Sequence, residues 1–438
     1  MLRSAIRDRL AESATRAASH LTRAVEVRPG EGAALLLGFA FHFCVLASYY
    51  LVRPLRDALG LEGGADTLQW LFTATFLVML AAVPLFGALA SHLTPACFVP
   101  LVYRFFAASM LAFGVLIATR VAPVAVGRAF FVWISVYNLF VVSIFWSVLV
   151  DRFSNEQGRR LFGFVAAGGT AGTFIGPTLA ATMATSLGPL ALTVAAALLL
   201  EVAVRCFRAL RSRTTAHDGN VSTADRRIGG GIMAGLTLIV RSPYLLAMVL
   251  FILLHTSAAT FIYFEQGRIV EASFGEVASR TRFFALVDLI VSALTLGFQL
   301  LLTGRLIRAI GVGGALAALP AATILAFTGM ALSPVPATVA LAQGLRRAAE
   351  FAIVRPAREV LWTVVDREEK YKAKNVIETL VYRGGDAASG WLSAGLTAAG
   401  ASFAMLAGFI LPVAALWAWL SRWLGRQQDK LGRERNRT

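Results

Sequence analysis

The sequence predicts an all-α membrane protein of about twelve transmembrane helices arranged as two related bundles. Three observations predict it. Apolar runs long enough to cross a bilayer follow one another almost end to end, basic residues gather in alternate loops, and a tryptophan-containing string from the first half of the chain recurs in the second. Of the 438 residues 57% are hydrophobic and 15% charged, and the mean hydropathy is +0.69, beyond the apolar share of an ordinary soluble domain.

A hydrocarbon core about 30 Å thick takes roughly 20 residues of helix to cross. The expected spans are residues 33–52, 68–90, 98–119, 125–150, 161–184, 187–207, 243–264, 282–303, 309–332, 337–365, 375–398 and 400–424. Arg53 and Pro54 stop the first, Asp151 and Arg152 the fourth, and Arg208 and Arg211 the sixth. Arg268 and Arg280 separate the seventh from the eighth, Arg305 and Arg308 the eighth from the ninth, Asp366 and Arg367 end the tenth, and Arg426 follows the last. Backbone amides in hydrocarbon must be satisfied inside the segment or in a closed barrel. These runs are continuously apolar where barrel strands alternate, so helices are expected throughout.

The formal net charge is +16. The charges lie in the tails and alternate loops rather than on one soluble face, so no nucleic-acid partner is expected. Arg3, Arg7, Arg9, Arg16, Arg23 and Arg28 precede the first span; Arg208, Arg211, Arg213, Arg226 and Arg227 lie between the sixth and seventh; Arg426, Lys430, Arg433, Arg435 and Arg437 end the chain. By the positive-inside rule both termini and the central loop are cytoplasmic. Arg159 and Arg160, Arg305 and Arg308, and Lys370, Lys372 and Lys374 agree, whereas Arg268, Arg280 and Arg282 run against the rule. Residues 1–30 place Leu2, Ile6, Leu10, Leu21 and Val25 at helical spacing among basic residues, as an interfacial amphipathic helix does. A transit peptide is the alternative for this Arg-, Ser- and Ala-rich segment; Asp8, Glu12 and Glu26 count against it and favour a bacterial inner membrane over an organelle envelope. Cys44, Cys97 and Cys206 have no metal-like spacing and read as small apolar residues.

Internal similarity carries the architecture. Residues 146–152, Trp-Ser-Val-Leu-Val-Asp-Arg, recur at 362–367 as Trp-Thr-Val-Val-Asp-Arg, each at the end of a long span and before a basic loop. Gly168 and Gly169 in the next span correspond to Gly384 and Gly385, which implies two equivalent close helix contacts. A second string, Val52-Arg53-Pro54-Leu55-Arg56-Asp57, resembles Val354-Arg355-Pro356-Ala357-Arg358-Glu359 in the tenth span. Spans one and ten each open a three-helix unit but run in opposite directions, as inverted repeats do. The expected organisation is a major facilitator-type two-bundle fold: an N-terminal segment 1–30, a six-helix bundle 31–207, a Gly- and Thr-containing linker 208–241, a second six-helix bundle 242–424 and a basic tail 425–438. A monomer suffices for this architecture, and the oligomeric state is left open.

Ionisable side chains inside a bundle are expensive and by default mark a pathway or site. The tenth span holds Arg346, Arg347, Glu350, Arg355, Arg358 and Glu359. Residues four apart share a helix face, which pairs Arg346 with Glu350, Arg355 with Glu359 and Arg53 with Asp57. Arg56, Arg347 and Arg358 have no local partner and read as an anion clamp, since guanidinium binds phosphate or carboxylate bidentately; the alternative is that they are interfacial and paired with acids on neighbouring helices. The substrate-binding set is therefore Arg53, Arg56, Asp57, Arg347, Arg355, Arg358 and Glu359. Asp288 and Glu350 are candidates for proton coupling, and Asp151 and Asp366, at the repeated span ends, for gating. Trp146 and Trp362 suit an interfacial belt or the cavity wall.

No enzyme is expected: His42, His92 and His255 are isolated, there is no Gly-x-x-x-x-Gly-Lys loop and no supported Ser/His/Asp arrangement. No cofactor or metal is implied.

Three groups of residues resemble the ATP:ADP antiporter family of nucleotide transporters. They are the Leu51-to-Leu59 string, Phe145-Trp146 with the run from Asn155 to Gly163, and the run from Glu369 to Lys374 with Tyr382-Arg383-Gly384-Gly385-Asp386. The resemblance implies a transporter of major facilitator-like fold whose bundle arginines hold nucleotide phosphates, working by alternating access and exchange. The family commonly has lysine where this chain has Arg56, which keeps the charge and changes the geometry. A proton-coupled transporter of another organic anion and a non-transporting membrane partner are the other readings.

Overall fold

The computed structural model describes residues 27–28, 30–214, 232–366, 373–374 and 376–435. The amphipathic segment at 1–26, residues 215–231 of the linker and all of the 369–374 motif except Ala373 and Lys374 lie outside the described residues. Among the described residues every regular element is helical. The elements are α1 (Gly32–Gly60), α2 (Leu68–His92), α3 (Pro95–Ala118), α4 (Pro123–Arg152), α5 (Asn155–Ser186), α6 (Gly188–Arg213), the short α7 (Ile232–Arg241), α8 (Pro243–Ser273), α9 (Val277–Leu301), α10 (Thr303–Leu332), α11 (Pro336–Ala349), α12 (Arg355–Leu361), α13 (Tyr382–Ala398) and α14 (Phe403–Arg435).

Among the described residues ten helices are long and apolar enough to cross a membrane. The two expected spans that do not qualify, 337–365 and 375–398, are the ones that π-helical turns interrupt. In the first, α11 passes through the π turn Glu350–Val354 into α12 and a final 3-10 turn, Trp362–Val364; in the second, the π turn Ile377–Val381 precedes α13. Pro356, in the first turn of α12, explains the first interruption. It has no N–H to give the carbonyl of Ala352 and its ring crowds that carbonyl, so the helix widens there. The freed Ala352 carbonyl accepts instead from the Thr303 hydroxyl at 2.8 Å.

Local chemistry accounts for other boundaries. Ser154 caps α5 by accepting from the Gln157 amide while Gln157 reaches back to the Ser154 amide, a reciprocal capping box. Ser242 caps α8, with Pro243 in the first turn. In α10 the helix kinks at Gly311, whose φ of 70° is left-handed and suits a residue without Cβ, so the apolar part of this span begins after it.

Two hydrophobic cores form. One is built almost wholly from residues 34–210; the other joins residues 239–424 to a few from the end of α1, the start of α2 and Phe131. Within the first, a stripe of glycines on α5 lets it lie directly on α1: a methyl on Gly172 would come within 2.7 Å of the Phe43 carbonyl and one on Gly176 within 2.8 Å of that of Ala47, while Gly168 touches the Phe39 carbonyl and Gly169 the His42 ring. In the second half Gly385 of α13 lies against Thr256 of α8, the corresponding pair, whereas Gly384 faces the Phe76 ring of α2 at ordinary contact distance, about 3.8 Å from a methyl placed there. The contact expected from the paired glycines is therefore made once by both and once by one.

Candidate functional site

The charged residues of α1 stand seven to three residues before its end, at Gly60, which places Arg53 about 10 Å inside the fold at 1.5 Å per residue. Asp288 and Arg347 each lie about 16 Å along their helices, α9 and α11, from the same end of the molecule. All three meet. Arg53 Nη1 and Arg347 Nη1 donate to the same Asp288 oxygen, Oδ1, at 3.0 and 2.8 Å. Asp288 is 3% exposed, and its second oxygen has no hydrogen-bond partner.

Beside this group, Arg56 donates through Nε and Nη2 to Asp57 Oδ1 at 2.9 and 2.6 Å, and the Tyr263 hydroxyl of α8 donates to the same oxygen at 2.9 Å. The Arg56 guanidinium lies over the Phe131 ring and also reaches Ser135. A third group surrounds Glu350: His255 Nε2 is 3.1 Å from its Oε1 and Arg346 Nη1 is 3.9 Å from its Oε2, with the Tyr382 hydroxyl 3.3 Å from His255 Nε2. Arg346 is 4% exposed, yet its Nε and Nη1 make no hydrogen bond. Arg347 and Arg355 both lie against the Phe351 ring, at 5.9 and 5.5 Å from its centre.

Apart from His255, Phe131 and Ser135, which lie behind the wall, these groups line one cavity of about 270 Å³ between the two halves of the chain. Six arginines (53, 56, 346, 347, 355 and 383) face four carboxylates (57, 288, 350 and 386) across it, an excess of two positive charges, with Phe72, Tyr263, Phe351 and Tyr382 as aromatic walls. Such a site suits an anion that brings its own acceptors to guanidinium donors and a flat group to the rings.

Two of the expected pairings are corrected. Arg53 pairs with Asp288 rather than Asp57, because Asp57 is taken by Arg56 and Tyr263. Arg355 turns toward Phe351, and Glu359 pairs with Lys374 at 2.7 Å. Arg346 and Glu350 are close as expected, but without a hydrogen bond between them. Neither Arg56 nor Arg347 lacks a carboxylate partner. Arg358 faces a separate small pocket with Trp362, Glu378 and Tyr382, and Glu359 is exposed; neither lines the central cavity. Asp151 and Asp366 are exposed at the ends of their helices, also outside it. Trp146 packs on His42 and Phe162, and Trp362 is buried.

Sequence reasoning paired Arg346 with Glu350 and did not count it among the cavity-lining cations, and it did not single out His255, Tyr263, Arg383 or Asp386 as site residues. The last two lie in the Tyr382-Arg383-Gly384-Gly385-Asp386 string that carried the family resemblance, so a signal was present for them.

The cavity is closed at the end where α1 stops. There Arg268 contacts Asp66 at 3.6 Å and Glu265 at 3.2 Å, Arg280 lies 3.9 Å from Glu62, and the Ala65 amide donates to Glu271 at 2.8 Å. Trp391 donates to Thr73 and meets Trp70 edge-on. At the opposite end Glu31 accepts from Arg160 at 3.0 Å and from Gln157 at 3.0 Å, and Arg28 pairs with Glu156. These contacts tie the start of α5, within the Asn155-to-Gly163 string, to the start of α1. The Arg160 guanidinium holds the Glu31 carboxyl down from its ordinary 4.5 to about 2.

No protein-family model matches the chain, and no curated protein matches it either. Solved structures match it over nearly its whole length. An auto-inhibited POT family peptide transporter superposes with a TM-score of 0.64 at 13% identity, covering 90% of this chain and 96% of that one. The nucleoside transporter NupG gives 0.62 at 13%, covering 91% and 99%. A bacterial homolog of the human lysosomal transporter Spinster, inward-facing and unoccupied, gives 0.55 at 15%, covering 92% and 94%. With ten helices able to cross a bilayer and this likeness, the chain has the major facilitator fold, a multi-pass membrane architecture.

Proposed function

We propose that this protein is a secondary transporter that works by alternating access and exchanges nucleotides of the ATP/ADP kind, or related phosphorylated anions, across a bacterial inner membrane, with both termini cytoplasmic. The observation that carries the reading is the buried Arg346 guanidinium with two unpartnered donor atoms, set in a cavity that holds two more positive than negative charges. A phosphate group brings acceptor oxygens and negative charge in the form those donors lack. Arg53, Arg56, Arg347 and Arg355 complete the clamp, with Asp57 and Asp288 as counter-ions when no anion is bound. Arg358 and Glu359 act at the helix end, near Lys374. Asp151 and Asp366 serve as gate residues at the end opposite Glu62 and Arg280. The rocking units are the bundles 31–207 and 242–424, and the likeness in fold to a nucleoside transporter and a peptide transporter supports cargo of this size.

The test is uptake of labelled ADP and ATP into proteoliposomes, with and without internal nucleotide, for the natural protein and for Arg346→Gln and Arg56→Ala. Losing a charged hydrogen bond of about 1.5–3 kcal/mol predicts a roughly ten- to hundredfold fall in apparent affinity for Arg346→Gln. Uptake that depends on internal nucleotide and weakens in the variants supports exchange. Absence of uptake under every loading rejects the nucleotide reading.

A further inference from the structure

We propose that the outer face shared by α3 and α6 holds the phosphate of an anionic phospholipid, gripped by Arg205 and Arg208 beside the ion pair of Arg104 with Glu201. The site needs the membrane architecture alone and is independent of what the central cavity carries. It begins with the way α6 divides its surface. Ala196, Leu200, Val204 and Phe207 are buried in the first core, which turns Leu198, Val202, Arg205 and Arg208 outward. On α3 the outward residues beside them are Leu101, Arg104 and Phe105. Gly114 of α3 lies directly against Thr193 of α6, so the two helices run close together and present one continuous face.

Depth and charge identify the occupant. On α6 the uncharged residues 187–200 precede Glu201, and on α3 the uncharged residues 105–118 follow Arg104. Each run covers about 21 Å of a hydrocarbon core about 30 Å thick, measured from the same membrane surface. Arg104 and Glu201 therefore lie about 9 Å below the opposite surface, and Arg205, one turn on, about 3 Å below it. A guanidinium at that depth reaches for the headgroup layer or for a partner. Arg104 has its partner, since its Nε and Nη2 donate to Glu201 Oε2 and Oε1 at 3.0 and 2.9 Å. Arg205 Nε stands 3.6 Å from the same Oε1, with 75% of its side chain exposed. Arg208, also exposed, follows on the same side of α6. One carboxylate thus answers three arginines, an excess of two positive charges. A lipid phosphate supplies acceptor oxygens in the bidentate form that guanidinium favours, at the depth where Arg205 and Arg208 stand. Because Arg104 already takes both Glu201 oxygens, the ammonium of a zwitterionic lipid meets no free carboxylate, and the surplus charge selects a lipid with net negative charge. The exposed Leu101, Phe105, Leu198 and Val202 lie along its acyl chains. The leaflet is the one on the side of Arg211 and Arg213, cytoplasmic in the orientation proposed above.

The test is native mass spectrometry of the protein released from nanodiscs that hold phosphatidylglycerol, phosphatidylethanolamine and phosphatidylcholine in equal amounts. Three chains are compared: the natural protein, Arg205→Gln with Arg208→Gln, and Arg305→Gln with Arg308→Gln, a control that removes the same charge from the other half. The expected result is one phosphatidylglycerol retained per natural chain. Its preference over the two zwitterionic lipids is expected to fall about fivefold for each arginine removed from the site and to be unchanged in the control. Phosphatidylglycerol is also expected to raise the thermal unfolding midpoint of the natural protein and the control in nanodiscs, but not that of the site variant. The natural protein decides the first point without any substitution: retention of the three lipids in the proportions supplied overturns the proposal. An equal fall in the site variant and the control also overturns it, because the attraction is then to the basic surface at large. A dimer that persists without lipid and is lost in the site variant overturns it in favour of a second copy of the chain on this face.

Discussion

Arg53 Nη1 donates to Asp288 Oδ1 at 3.0 Å across 235 residues of chain, joining the first helix of the N-terminal half to a helix of the C-terminal half. Arg347 shares that oxygen. A lone carboxylate thus holds two guanidinium groups near the middle of the fold, where an unpaired charge costs far more than at the surface.

Replacing Asp288 with Asn leaves Arg53 and Arg347 facing each other without a counter-ion. Removing one partner of a buried pair costs about 3–5 kcal/mol, so Asp288→Asn is expected to lower the unfolding midpoint in nanodiscs substantially. Adding Arg53→Gln takes away one of the two stranded charges. The double variant is then expected to be at least as stable as Asp288→Asn alone, with a coupling of about 1 kcal/mol or more. Additive losses would show that the shared oxygen contributes nothing specific.

The contacts that close one end of the cavity are individually weak. Ion pairs such as Arg268 with Asp66 and Arg280 with Glu62 are each worth about 0.5–1 kcal/mol, which is roughly a two- to fivefold bias toward the closed end. Arg268→Ala is expected to raise the rate at which a charged thiol reagent labels a cysteine placed at Thr73, behind Trp391, by about that factor. A rate unchanged in Arg268→Ala and in Trp391→Ala would show that closure does not depend on this cluster.

At the opposite end, the Glu31 pair with Arg160 has a defined pH window. The Glu31 carboxyl sits at about 2 in the folded protein against 4.5 ordinarily. A depressed carboxylate stabilises the fold above its ordinary value, and that contribution is lost as the pH falls toward the folded value. Glu31→Gln is therefore expected to be less stable than the natural protein by about 1 kcal/mol near neutrality, the gap narrowing below 4.5 and closing near 2. A gap that persists undiminished into strong acid would mean that the amide change, not the charge, is responsible.

Much of this was legible in the sequence because hydrophobic length needs no tertiary information: a run such as 187–207 must cross or be buried wherever it packs. The site was legible by composition, since arginines in apolar helices demand anions, but not by pairing. The i,i+4 rule joined Arg53 to Asp57, and only the packing of α1 on α9 and α8 reveals that Asp288 and Tyr263 intervene. Arg268 and Arg280 broke the positive-inside pattern for a reason no span analysis contains: they meet Asp66 and Glu62 across the closed end of the cavity. Helical periodicity failed for Arg358 because it assumed one kind of helix.

That failure yields the last prediction. In a regular α-helix at about 100° per residue, Arg347 and Arg358, eleven apart, face within about 20° of each other, while Arg355 lies about 80° away. The π turn Glu350–Val354 spends one additional residue without advancing the helix. Downstream residues are turned back by about 100°, which brings Arg355 to within about 20° of Arg347 and carries Arg358 off the face. The structure agrees: Arg347 and Arg355 flank Phe351 in the cavity, and Arg358 looks toward Trp362. A cysteine at Arg355 is therefore expected to react with a small anionic thiol reagent about tenfold faster than one at Arg358, at the aqueous concentrations expected of a solvated cavity. Deleting Ile353 together with Pro356→Ala, which removes both the additional residue and the proline that widens the turn, is expected to reverse the order, with folding checked by size-exclusion and thermal unfolding. Equal rates in the undeleted chain would show that the π turn does not select which arginine the cavity receives. Reversal on deletion would show that one widened turn, forced by one proline, decides the composition of the clamp.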